Sequence, residues 1–391
     1  MHDDLREAVD ELLPDLLRSL ETLVRIPSVS APGYEPAEVR RSAELAAGLF
    51  REAGCADVRL LEIEGAHPAV FAHSPGPEHA PTVLLYAHHD VQPAGPAEHW
   101  DTEPFEPTVR NGRLYGRGTS DDKAGIIAHI GAISALGTPP PVSVKVLVEG
   151  EEEIGSAHLG EFLAAYHDLL SADIIVILDS ANWAVGVPTL TTSLRGLVDC
   201  IVEVRTLRHA VHSGLFGGAV PDAVTTLARL LATLHDETGE VAVAGLQAND
   251  TTTLELSEEE LRTQAEPLAG VRLIGTGSIT SRLWTKPAIS VLAIDAPPLA
   301  EAINQLVPSA RAKVSLRIAP GDDPGRALAA LAAHFESHVE WGAEVTVTPG
   351  AHGEAFAGNT DGHVYDVFRT ALSEAWGRDT AEMGVGGSIP F

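Results

Sequence analysis

Four glutamates fall within five positions, Glu149, Glu151, Glu152 and Glu153, where an apolar run meets the stretch "EGEEEIGS". Carboxylates this crowded repel one another, so the loop is either solvated or neutralised by something it binds. "YAHHDVQP" (86–93) offers His88 and Asp90, "GRGTSDDKAG" (116–125) offers the adjacent acids Asp121 and Asp122, and "ILDS" (177–180) offers Asp179. One imidazole among several carboxylates is a hard, oxygen-rich donor set with some nitrogen. It suits Zn²⁺, Mn²⁺ or Co²⁺ and does not suit copper or iron–sulfur. Two such cations ~3.5–4 Å apart can share a bridging carboxylate and a hydroxide while polarising a carbonyl. Of the clustered glutamates, one can ligate while its neighbour stays free as a general base.

The elements that must carry these residues are legible in the hydrophobic pattern. Segments 82–90, 142–150 and 172–180 read as buried strands, β-rich and nearly continuous in hydrophobicity, and 121–136 lies between two of them as a helix. Strands alternating with helices predict an α/β sheet with parallel pairs, whose ligand sites collect outside the carboxyl ends of the strands. His88, Asp90, the glutamates and Asp179 all sit at those ends. Singly, each has an ordinary reading: an N-cap for Asp121 or Asp122, loop polarity for "HHD", a strand-end turn for Asp179, a solvated face for the glutamates. Their joint arrival at one sheet edge is what argues for a site.

Helix-period spacing covers 5–24 and 37–53, with Gly54 as the terminating residue. Near residue 190 the pattern changes. A half-exposed strand from 196, a helix ending "LATLHD", strands "AISVLAID" and "ARAKVSLRIAP", a helix from 324 and the strand "AEVTVTPG" follow in the order β-α-β-β-α-β, the ferredoxin-like arrangement. The expected fold is therefore α/β: a mixed, largely parallel-sheet domain (1–190 and 351–391, with a helix at 361–376) into which a ferredoxin-like domain (191–350) is inserted. The acidic, loop-rich segment 236–270 is not assigned to an element.

Of 391 residues, the formal net charge is -29, which opposes nucleic acid and anionic membrane as partners. No apolar run approaches the ~20 residues needed to cross a bilayer, and the acidic, amphipathic N-terminus is unlike a secretory signal. Cys55 and Cys200 have no disulfide or thiolate-zinc spacing, so a cytoplasmic location is expected. "GRGTSDDK" lacks the Gly-Lys-Ser/Thr ending of a phosphate loop, and no nucleophile elbow is present.

"YAHHDVQP", "GRGTSDDKAG", "EGEEEIGS", "ILDS", "VHSGLFGG", "SLRIAP" and "GGSIP" occur in the order seen in the M20 family of di-metal peptidases. The resemblance spans about residues 20–390, and "HSGLFGG" followed by "GGSIP" resembles the cytosolic dipeptidase and carnosinase-like branch most. It implies two divalent ions, zinc foremost, with His88 and Asp179 on one, Glu153 on the other and Asp121 bridging the two, and a cis Asp121–Asp122 peptide bond. Glu152 would be the base and Asp90 would orient His88. His212 would steady the tetrahedral oxyanion from a partner subunit's inserted domain, making the enzyme a homodimer. Arg317, with Gly387 and Ser388, would clamp the carboxylate of a small peptide, and His352 would line the pocket.

Family members continue for several dozen residues beyond "GGSIP" and carry a further histidine ligand there. The chain as given stops at Phe391, so this polypeptide is expected to be weakly active or inactive beside a longer parent. The leading expectation is hydrolysis of dipeptides. The competing ones are N-acyl amino acid deacylation or desuccinylation, and a non-catalytic binding protein.

Overall fold

The computed structural model describes residues 2–250 and 252–388. Its contacts divide the chain into two compact units, Met1–Ala181 and Asn182–Phe391.

The first unit opens with helices α1 (His2–Val24) and α2 (Pro36–Glu52), the latter followed by Gly54 at φ 92°. Five strands then form one sheet: β1 (Asp57–Leu61), β2 (Ala69–Ser74), β3 (Thr82–His88), β4 (Ser143–Glu149) and β5 (Ile174–Ile177), with α3 (Lys123–Leu136) crossing between β3 and β4. Their order is β1-β2-β4-β3-β5. β3 runs parallel to β4 and β5, whereas β2 is antiparallel to β1 and β4. Alternation sorts each central strand between two cores. Ala87, Val144, Val146 and Val148 pack with Phe50 of α2 and Ile126 and Ile130 of α3 on one face. Tyr86, Leu84 and Leu147 pack with Leu159, Phe162 and Leu170 on the other. Burial on both faces explains why β3 and β4 read as unbroken apolar runs. β5 departs from that expectation: it has only β3 beside it among the described residues, and Ile175 is 54% exposed.

The second unit contains β6 (Thr189–Leu194), β7 (Gly196–Arg205), α4 (Ala223–Ala232), β8 (Ala288–Asp295), β9 (Ser309–Ile318), α5 (Pro324–His338), β10 (Glu344–Gly353), α6 (His363–Trp376) and β11 (Ala381–Val385). β7, β8, β9 and β10 make an antiparallel sheet in the order β8-β9-β7-β10. Its core joins Val198, Cys200, Val202, Val204, Val314 and Leu316 to Leu227 and Leu230 of α4 and Leu331 and Phe335 of α5. This is the β-α-β-β-α-β unit read from the sequence. β6 belongs to a separate sheet, antiparallel to the two-residue strand Phe356–Ala357 and parallel to β11. Within the unassigned stretch 236–270, Glu258–Ala265 is helical, started by a capping box in which Ser257 and Glu260 satisfy each other's backbone N–H groups. No described helix is long and apolar enough to cross a membrane.

Candidate functional site

Strand register brings the candidate residues to one edge. His88 ends β3 directly opposite Glu149, the last residue of β4. On the other side Tyr86 pairs with Ile177, so Asp179, two residues on, comes level with His88. Asp122 is the N-cap of α3: its Oδ1 accepts from the N–H of Gly125 at 3.2 Å and its Oδ2 from the N–H of His88 at 3.2 Å. The capping role thus falls to Asp122, and Asp121 before it, exposed and joined by a cis bond, faces the imidazole instead. A Cβ at Gly125 would meet Asp122 Oδ1 at 2.4 Å and the Leu178 carbonyl at 2.6 Å, so only glycine admits so close an approach of α3 to the end of β5.

His88 is fully buried, with Nδ1 3.0 Å from the carbonyl of Asp90. Nε2 on the other side of the ring faces carboxylates: Asp121 Oδ1 at 3.0 Å, Asp179 Oδ1 at 3.7 Å and Glu152 Oε2 at 3.9 Å. Two triplets of ligand-competent atoms lie within 4.8 Å of one another: His88, Asp121 and Glu153, and His88, Asp122 and Asp179. Asp121 therefore groups with Glu153, while the partner of Asp179 in these triplets is the cap Asp122.

The electrostatics are those of buried carboxylates crowded around one imidazole. Burial pushes the Glu152 carboxyl up to about 8 and raises that of Glu153. Burial also pulls His88 down, but the hydrogen bonds that the ring donates to Asp121, Asp179 and Asp90 outweigh it and leave the ring well above its ordinary value. The hydrogen bond from His88 holds Asp121 below its usual range. A site that favours protonating both its base and its acids is one that a divalent cation stabilises, so the donor set fits a metal.

Asp90 is fully buried and holds more than His88. Its carboxylate accepts from Ser30 Oγ at 2.6 Å and from the backbone N–H groups of Glu152 at 3.2 Å and Glu153 at 3.1 Å. Burial alone would raise its pKa, but His88 and Ser30 keep it lowered. Gln92 clasps Glu153 twice more, through its own N–H to Oε1 at 3.1 Å and its side-chain amide to the carbonyl at 2.8 Å.

The crowded glutamates separate into distinct environments. Glu149 is buried and accepts from Tyr86 Oη at 2.7 Å. Glu151 is buried too, taking the N–H of His67 at 2.9 Å and meeting His158 Nδ1 at 2.8 Å. Glu152 and Glu153 turn toward His88 and Asp121. Lys123, fully buried next to the acids, does not neutralise them: its ammonium is bonded to the carbonyls of Leu23 (2.9 Å) and Ile26 (2.8 Å), tying the end of α1 to the start of α3.

The remaining candidates lie in the second unit. Arg317 on β9 donates from Nη1 to Ser388 Oγ at 2.7 Å, bringing those two together, with Gly387 beside them in the chain. His212 is exposed, its Nδ1 accepting from the N–H of Gly214 at 3.0 Å. His352 is exposed on β10, opposite Val198, just past a bulge. That bulge is held by Asp199, which accepts from the N–H of Ala351 at 2.8 Å. Sequence reading missed Ser30, Gln92, Asp199 and the buried Arg195, since no spacing rule marks a partner supplied from a distant element. The nearest available signal is a polar residue in an otherwise apolar run, as for Arg195 in "SLRGLV".

The sequence profile of Peptidase family M20/M25/M40 matches residues 84–391. The chain is 36% identical over 324 residues to a cysteinylglycine-S-conjugate dipeptidase of Corynebacterium striatum, covering 80% of this chain and 70% of that protein. It is 29% identical to the Beta-Ala-His dipeptidase of Rattus norvegicus, covering 83% and 70%. With the Cys-Gly metallodipeptidase dug1 of Schizosaccharomyces pombe it shares 34% identity over 62% of this chain, and spans only 54% of that relative's length. Among solved structures, human carnosine dipeptidase 1 superposes with a TM-score of 0.81 at 26% identity, covering 100% of this chain and 88% of that one. A carboxylate-ringed histidine at the sheet edge and matching sequence across most of its length agree: the chain belongs to peptidase family M20/M25/M40.

Proposed function

We propose that the protein is a metal-dependent dipeptidase that hydrolyses the amide bond of dipeptides and similar small peptides. The observation that carries this reading is His88 Nε2 aimed at Asp121, Asp179 and Glu152 within 3.9 Å, beside Glu153. His88, Asp121, Glu153 and Asp179 would hold two divalent ions, Zn²⁺ foremost and Mn²⁺ or Co²⁺ as alternatives, an assignment supported by the mixed oxygen and imidazole donors. When bound, such ions polarise the scissile carbonyl and ease ionisation of a water. Glu152 then takes the proton of the attacking water and delivers it to the leaving amine. Asp90 keeps His88 oriented and anchors the backbone under Glu152 and Glu153.

Arg317 and Ser388 bind the substrate's terminal carboxylate, a role supported by their direct hydrogen bond, with Gly387 and His352 flanking. His212 supports the oxyanion from the partner subunit of a homodimer. β8 supplies a surface for that pairing: it is a sheet edge on which Val291, Leu292 and Ile294 are exposed. The domain reading that goes with this has a catalytic part (1–190 and 351–391) and an inserted part (191–350). A cytoplasmic location is supported by Cys55 and Cys200, both unpaired and buried.

The test is a panel of dipeptides, their N-acyl amino acid counterparts and longer peptides, assayed with added Mn²⁺ or Zn²⁺. Dipeptides should be cleaved fastest, and only with metal. Preference for acyl amino acids would replace this reading with deacylation, and metal binding without turnover would replace it with a binding function.

A further inference from the structure

Arg195 is the junction between two sheets of the second unit, the residue after β6 and before β7. It is 9% exposed, and no carboxylate among the described residues pairs with it. Its guanidinium bonds to backbone carbonyls instead: Nε to Gly386 at 3.1 Å, and Nη1 to Arg282 and Lys286 at 3.4 Å each. Its own N–H donates to the carbonyl of Val385 at 3.2 Å. Arg282 lies in the last turn of the helix Ile279–Trp284 and Lys286 just beyond it, so the cation also meets the carbonyls that this helix end leaves unpaired. The approach is tight, since a Cβ on Gly386 would lie 2.6 Å from Arg195 Nη2 and 2.7 Å from the Leu283 carbonyl.

Gly386 is two residues before Ser388, the residue bonded to Arg317. A short glycine-rich turn has little to hold it in one conformation by itself. Here its first carbonyl is gripped by a buried, planar donor that cannot rotate away without stranding three acceptors. Burial, with the charge of Arg317 as the smaller cause, pulls Arg195 down to about 10, still protonated at neutral pH. A desolvated guanidinium without a counter-ion is costly, and that cost falls when an anion arrives at the neighbouring arginine.

We propose that Arg195 is the positioning residue of the substrate-carboxylate clamp, fixing the Gly386–Ser388 turn so that Ser388 and Arg317 present a preformed site to the carboxylate. The proposal rests on the reading of Arg317 and Ser388 as that clamp. The full chain, metal-loaded, is assayed on one dipeptide and on its C-terminal amide, which lacks the carboxylate charge. Binding of the dipeptide to the Glu152→Gln background is followed by calorimetry. Arg195→Lys should lower kcat/KM for the free acid roughly tenfold, chiefly through KM, and weaken calorimetric binding to match, with the amide changed less than about twofold. Gly386→Ala, which disturbs the same contact from the turn, should give the same selective loss. Combining Arg195→Lys with Ser388→Ala should cost little more than Ser388→Ala alone. Equal losses on acid and amide, or additive losses in the double variant, overturn the proposal. Arg317→Lys and Ser388→Ala test the clamp on their own. If they leave the acid-to-amide ratio unchanged, the clamp reading fails and this proposal with it; if they shift the ratio and the Arg195 and Gly386 variants do not, the positioning role alone is refuted.

Discussion

At the residue scale, Glu152 and Glu153 are adjacent in sequence and share one electrostatic problem, both raised by burial in a site rich in carboxylates. Their proposed roles separate by experiment. Glu152→Ala should reduce turnover about 10²–10⁴-fold, the usual worth of a general base, while metal content measured by mass spectrometry is retained. Loss of metal along with activity would instead make Glu152 a ligand. Proton linkage gives a second expectation. Glu152 and Asp122, both pushed up to about 8, and His88, raised well above its usual value, all bind protons more tightly in the metal-free fold than in the unfolded chain. For the two carboxyls the contribution to stability is full below their unfolded values of 4.5 and 3.8 and is lost as pH rises to about 8. Metal-free protein should therefore melt at lower temperature at pH 8 than at pH 5, and added metal should narrow that gap. Calorimetric titration of metal at neutral pH, repeated in buffers of different ionisation enthalpy, should show proton release.

At the element scale, the site depends on how α3 docks against the ends of β3 and β5. Gly125 is the point of closest approach. Gly125→Ala should destabilise the protein by about 1–3 kcal/mol in denaturant unfolding. It should also weaken metal affinity, because the displaced groups are the Asp122 carboxylate and the chain just before Asp179. Glu151→Ala tests the opposite case. It removes the acceptor for the N–H of His67 and the partner of His158, which should cost about 1–3 kcal/mol with metal stoichiometry unchanged. The strands and helices that frame the site were legible in sequence because both faces of β3 and β4 are buried, and β8 and α5 matched their expected limits. Less legible were ends decided by neighbours: β5 shrinks to Ile174–Ile177, and β10 runs on to Gly353 through a bulge that Asp199 holds.

At the scale of the whole molecule, the ferredoxin-like sheet leaves β8, among the described residues, as an edge carrying exposed Val291, Leu292 and Ile294. If that edge pairs with a second copy, Leu292→Lys with Ile294→Lys should shift the protein from dimer to monomer in analytical ultracentrifugation. Activity should fall with dissociation, since His212 is proposed to act across the interface. A dimer that survives these changes would move the interface elsewhere.

What the sequence by itself determined was residue chemistry and approximate address: ligand-competent side chains at the carboxyl ends of apolar strands, a cap-competent pair of aspartates at a helix start, and an order of motifs matching one family. Those features are local, set by residue type and by periods of two and 3.6 that any stretch of chain displays. The resemblance singles out Glu152 and Glu153, but what turns them toward His88 while Glu149 and Glu151 are buried against Tyr86 and His158 is visible only in the tertiary structure. Spacing along a loop does not fix side-chain direction. The directions come from Asp90 holding two backbone N–H groups and from Gln92 clasping Glu153, contacts across about 60 residues of chain in each case. Arg195 belongs to the same class: its partners lie 87, 91 and 191 residues away, and only the packing of a sheet against a helix end brings them together.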